Sequence, residues 1–90
     1  MIVDGENVRR SIWPNLSRAQ VDEGAAAWAD REGHDLRLVW DQDVGYADDE
    51  IVRLAQELEP PVWVVTSDRG LRDRLAVDRI IGGGSFARTI

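Results

Sequence analysis

The sequence predicts an α/β domain built on a small, mostly parallel sheet of four to five strands, with helices on both faces and a single domain over residues 1–90. Three observations carry that expectation. Short apolar runs alternate with longer stretches of helical periodicity, the pattern of a parallel sheet joined by right-handed crossovers. Val62 to Thr66 is a near-continuous apolar run, as in a strand buried on both faces. Turn and cap signals, among them Asp4-Gly5, Pro14-Asn15, Pro60-Pro61 and Gly82-Gly83-Gly84, separate the segments.

The elements follow in order. Met1-Ile2-Val3 reads as a first strand, cut short by Asp4-Gly5. Ser17 is a good N-cap for a helix over 18–32, where Val21, Ala25, Trp28 and Ala29 recur at i, i+4, i+7 and i+8, and Gly33 ends it. Leu36 to Trp40 is a second strand. A second long helix covers 47–58, with Ile51, Leu54, Ala55 and Leu58 on one face, and Pro60-Pro61 stops it. Val62 to Thr66 is the third strand. A short helix carries Leu71 and Leu75 one turn apart, and Ile80-Ile81 is a fourth strand. The tail from Ser85 to Ile90 reads as a further edge strand.

Composition narrows the function classes. A 90-residue chain buries only about 60–65% of its unfolded surface, so every apolar segment is expected in the core, including Trp13, Trp28, Trp40 and Trp63. There is no cysteine, which excludes disulfides and thiolate metal sites and fits a cytoplasmic location. No signal peptide or membrane-spanning run is visible, so no membrane partner is expected. The net charge of −6 argues against a protein that grips nucleic acid by bulk charge, but not against an enzyme that does so through metal ions. All eleven basic residues are arginine, which suits either codon bias in a GC-rich genome, the favoured reading, or a phosphate-binding need.

The acidic residues are the informative part. Asp4, Asp41 and Asp68 follow the first, second and third strands, so all three reach the carboxyl edge of the sheet, where such folds place their functional crevice. Asp48 begins the 47–58 helix at that same edge. Its spacing from Ile51, Ala55 and Leu58 turns it toward the sheet, while Asp49 is turned about 100° away, toward Arg53 and Gln56. Singly, each is an ordinary turn or cap residue. Together they need compensation, because two unit charges about 4 Å apart repel by about 4 kcal/mol at an effective dielectric of about 20. Protonation, arginine partners or a bound cation would supply it. Mg²⁺ and similar hard ions take one or two carboxylates plus waters and phosphate oxygens, and in phosphodiester hydrolysis they activate water and stabilise the leaving oxygen. That chemistry requires neither His nor Cys.

Several segments resemble a known family. Ile2-Val3-Asp4-Gly5-Glu6-Asn7-Val8 resembles the opening hydrophobic-Asp-Gly-x-Asn motif of NYN domains, including the bacterial YacP-like proteins. Val39-Trp40-Asp41 resembles their second-strand Val-Phe-Asp, Ala47-Asp48-Asp49-Glu50-Ile51 their Ala-Asp-Asp-x-Ile helix start, and Val64-Val65-Thr66-Ser67-Asp68 their Val-Thr-Ser-Asp strand end. Ser85-Phe86 resembles a Ser-x-Phe region near the family's C-terminus. The matches come in the family's order along nearly the whole chain. The resemblance implies a three-layer α/β/α PIN-like fold and a metal-dependent ribonuclease. It implies Asp4, Asp48 and Asp68 as ligands of Mg²⁺ or Mn²⁺, Asp41 as a fourth acid, and Asn7 as the residue that orients the first loop. Thr66 and Ser67 would hydrogen-bond the site or the scissile phosphate. Many YacP-like members carry more chain between the second-strand Asp and the Ala-Asp-Asp helix. Here only Gln42 to Ala47 intervene, so an RNA-clamping insertion is absent or minimal, and a homodimer or partner protein would complete the groove.

Other residues carry weaker expectations. Arg9, Arg10, Arg69 and Arg72 flank the acids and suit either phosphates or solvent. Trp13 suits base stacking or, as the favoured reading, covering the end of the core. His34 reads as a loop residue, Gly82-Gly83-Gly84 as a flexible turn with no following helix, and Glu6 as either a further acid or a solvated one. The function expected is RNA endonuclease activity. A non-catalytic RNA-binding or protein-interaction module is the alternative. A phosphatase of the haloacid-dehalogenase type is disfavoured, because the residue two after Asp4 is Glu6 and not Asp.

Overall fold

The computed structural model describes residues 1–90. Ten elements follow in order: β1 (Ile2–Asp4), α1 (Gly5–Arg10), α2 (Arg18–Glu32), β2 (Arg37–Val39), α3 (Asp41–Val44), α4 (Ala47–Glu57), β3 (Trp63–Val65), α5 (Arg69–Asp73), β4 (Arg79–Ile81) and α6 (Gly83–Thr89). The sheet has four strands in the order β2-β1-β3-β4, and every pairing is parallel.

Alternation along the strands builds two cores. Val3, Leu38, Val65 and Ile81 stand in register on one face. They join a cluster with Val8 of α1, Val21, Ala25 and Ala29 of α2, and Phe86 and Ala87 of α6. Ile2, Val39 and Val64 point the other way and pack with Ala47 and Ile51 of α4 and Leu71 of α5. Full burial of each such Val, Leu or Ile contributes roughly 1.5–3 kcal/mol. No helix is long and apolar enough to cross a membrane.

The caps of α2 are those the sequence indicates. Ser17 accepts from the Gln20 amide at 3.0 Å while the Gln20 side chain accepts from the Ser17 amide at 2.8 Å, a reciprocal capping box. Gly33 closes the helix in the left-handed region at φ 74°.

The sheet has four strands, within the expected four to five, and all are parallel. Two expectations are corrected. The first loop expected after Asp4 is the helix α1, so Asn7, Arg9 and Arg10 are helical. The tail read as an edge strand is α6: Gly82 is its N-cap, and the glycines read as a turn lead directly into it. Packing decides this, since Phe86 and Ala87 are buried against the first core. Gly83 also sits where a Cβ would stand 2.3 Å from Asn7 Oδ1, so only a glycine lets α6 approach α1 there.

Among the tryptophans, Trp40 is buried, and Trp28 and Trp63 pack half-buried against the first core. Trp13 is 87% exposed and does not cover the core as expected. His34 lies in a loop and packs between Trp28 (5.4 Å between centroids) and Trp63 (4.6 Å).

Candidate metal centre

The strand order places a crevice. From β1 the chain adds β2 on one side, then crosses to add β3 on the other, so the sheet's direction of growth reverses between β1 and β3. At such a switch point the connections leave in opposite directions from the carboxyl ends and open a cleft. The residues ending these strands are Asp4 on β1 and, beyond Val65 on β3, Thr66, Ser67 and Asp68.

A cleft of about 360 Å³ lies there, lined by Asp4, Glu6, Asn7, Arg10, Ser11, Asp41, Asp48 and Asp68, with no hydrophobic side chain. All four predicted aspartates reach it. Asp4 is buried, Asp48 half-buried, and Asp41 and Asp68 exposed. Asp48 is the inward member of its pair. Asp49 turns out and pairs with Arg74 at 2.9 Å, not with the Arg53 and Gln56 flank; Arg53 instead bridges Glu50 and Glu57.

Asp4, Asp41 and Asp68 are each held by backbone or hydroxyl donors. Thr66 Oγ1 donates to Asp4 Oδ2 at 2.9 Å and accepts from the Asp68 amide at 3.2 Å. Asp68 Oδ1 accepts from the Leu71 amide at 3.0 Å, so the residue that lines the cleft also caps α5. Asp41 Oδ1 accepts from the Ala47 amide at 2.9 Å, which ties the start of α3 to the start of α4. These bonds leave the second oxygens of Asp68 and Asp41 without a protein donor.

The electrostatics reflect convergence. Burial raises the Asp4 carboxyl to about 6, against the opposing bonds from Thr66 and the Asn7 backbone, and the nearby charges of Asp48 and Asp41 raise it further. Asp48 is also raised, first by burial, then by Asp68 and Asp41, with Arg74 opposing. Asp4 and Asp48 therefore sit in a field that disfavours their ionisation. A divalent cation would relieve it.

The donor set fits a hard cation of the Mg²⁺ or Mn²⁺ class: carboxylate oxygens at the cleft, an amide oxygen nearby, and no sulfur or imidazole. No three acids are drawn together closely enough to ligate one ion as a ready-made cage. A Mg²⁺-type site does not need one, because the ion keeps several waters and uses one or two carboxylates.

The other expected residues divide. Asn7 lines the cleft, and its Oδ1 accepts from the Ser67 amide at 2.9 Å, so it fixes the β3–α5 link from α1. The Ser67 hydroxyl accepts from the Gly83 amide at 2.7 Å and so tethers α6. Arg10 lines the cleft; Arg9 is held by Glu6 in the depression alongside. Arg69 and Arg72 are exposed on α5 outside the cleft lining. Ser11 lines the cleft without having been singled out in the sequence, because its place depends on the turn of α1.

Comparison with family models, curated proteins and solved structures finds no match.

Proposed function

We propose that this protein is a metal-dependent RNA endonuclease on a three-layer α/β/α frame of the PIN/NYN kind. The observation that carries the reading is the wholly polar cleft at the β1–β3 switch point, where buried Asp4 is electrostatically coupled to Asp48 and Asp41.

Asp4, Asp48 and Asp68 would hold Mg²⁺ or Mn²⁺, one or two of them as direct ligands and the rest through the ion's waters, with Asp41 as a fourth acid. The cation supplies Lewis-acid chemistry and neutralises both the carboxylates and a phosphodiester. The chain's own residues do the positioning. Thr66 orients Asp4 and the Asp68 backbone together, Asn7 fixes the Ser67 amide, and Arg10 offers a cationic fork to a phosphate at the cleft wall. Hydrolysis then forms one P–O bond to water and breaks one P–O ester bond.

The cation site is tested without activity. Mn²⁺ titrated into isotope-labelled protein should broaden the amide signals around Asp4, Asp48 and Asp68 before those around the surface acids Glu50 and Glu57. Broadening that begins at the surface acids would sink the assignment.

The spacing of the acids favours a second reading, a non-catalytic RNA-binding or protein-interaction module. Its mark is RNA or partner binding that persists in EDTA without cleavage.

A further inference from the structure

We propose that Tyr46 is a stacking platform for the base of a nucleotide next to the phosphate held in the acidic cleft, an assignment that rests on the nuclease reading. A second depression, lined by Asp41, Tyr46, Ala47, Asp48, Asp49 and Arg74, shares Asp41 and Asp48 with the cleft. The two adjoin across these side chains, so a chain with its phosphate at the acids would reach the second depression with its next nucleotide.

Tyr46 is 78% exposed, one of only three large apolar side chains left in solvent. Its backbone is nevertheless fixed. Gly45, at φ 86°, turns the chain immediately before it, and the Asp41 carboxylate holds the Ala47 amide immediately after it. Tyr46 is also the N-cap residue of α4, two positions before Asp48. An exposed ring on a fixed backbone beside a phosphate site offers a face on which any base can stack. Arg74, across the same depression, is cationic and only loosely committed through its exposed pair with Asp49, so it can meet the next phosphate. An unpaired nucleotide is the occupant these groups fit, since a base within a duplex has no free face.

The test compares wild type, Tyr46→Ala and Tyr46→Phe in Mn²⁺ on a short labelled single-stranded RNA, by cleavage kinetics and by fluorescence anisotropy. Tyr46→Ala should lose about ten- to a hundred-fold, carried by KM rather than kcat, with Tyr46→Phe recovering most of it. Equal KM in wild type and Tyr46→Ala would overturn the platform and leave the nuclease reading standing. Binding without cleavage, weakened by Tyr46→Ala and restored by Tyr46→Phe, would support the platform and overturn the nuclease. Neither binding nor cleavage by wild type would overturn both.

Discussion

The Thr66 hydroxyl donates to Asp4 Oδ2 at 2.9 Å, joining the carboxyl ends of β1 and β3 across 62 positions of sequence. Both residues are buried, and the same hydroxyl oxygen accepts from the Asp68 amide. Thr66→Val should therefore cost about 1–3 kcal/mol, because the bond is lost and the Asp68 amide loses its acceptor. Thr66→Ser should keep most of the stability. Urea denaturation of both variants decides it, and a Val variant as stable as wild type would contradict the role given to this hydroxyl.

Asp4 sets a pH dependence of defined sign. Its carboxyl titrates at 3.8 when unperturbed and at about 6 in the fold. Well below pH 3.8 both states hold the proton and there is no penalty. As pH rises from 3.8 to about 6 the unfolded chain gives up its proton while the fold keeps the buried carboxyl protonated, so up to about 3 kcal/mol of stability is lost across that window, and the loss stays constant above it. In EDTA, Asp4→Asn should be more stable than wild type at pH 7, with the gap closing toward pH 4. A gap independent of pH would show that burial of this charge is not the cause.

Two close approaches require glycine. A Cβ on Gly5 would lie 2.7–2.9 Å from the Trp40 ring, and one on Gly83 would lie 2.3 Å from Asn7 Oδ1. Gly5→Ala should cost about 1–3 kcal/mol through overpacking. Gly83→Ala should displace Asn7 and break its bond to the Ser67 amide. A chemical-shift change at Ser67 would report that displacement, and an unchanged Ser67 signal would argue against the coupling between α1, α6 and the β3–α5 link.

The tryptophans should separate cleanly. Trp40 is buried under Arg18, whose guanidinium lies 4.8 Å from the ring centroid, and its indole N–H donates to Asp22 at 3.1 Å. Trp40→Ala should cost about 3–5 kcal/mol. Trp13→Ala should fall within about 0.5 kcal/mol of wild type, as for an ordinary surface change. A large loss at Trp13 would mean that this side chain has a partner in solution.

How much of this was legible beforehand follows from element length. The helix over 18–32 and the 47–58 segment are long enough for apolar periodicity to show, and Asp4 ends β1 while Asp41 and Thr66 follow closely after β2 and β3. α1 and α3 have six and four residues, too short for a period to show, so the helical setting of Asn7 and Arg10 has no sequence signal. α6 was hidden because Gly83 and Gly84 are poor helix formers, and tertiary burial of Phe86 and Ala87 overrides them. The convergence of Asp4, Asp41, Asp48 and Asp68 on one edge was readable from alternation alone. The switch point between β1 and β3 was not, because strand order depends on long-range pairing. Tyr46 left no sequence signal, since its significance lies in a depression shared with the acids.

The central claim is metal-dependent cleavage at the acidic cleft. It is tested most directly by incubating a mixed single-stranded and structured RNA with wild type and Asp48→Asn, in Mn²⁺, in Mg²⁺ and in EDTA. A nuclease working at this cleft cleaves in Mn²⁺ or Mg²⁺, stops in EDTA, and loses activity in a still-folded Asp48→Asn. Equal cleavage by wild type and Asp48→Asn, or none by folded wild type with either metal, would contradict it.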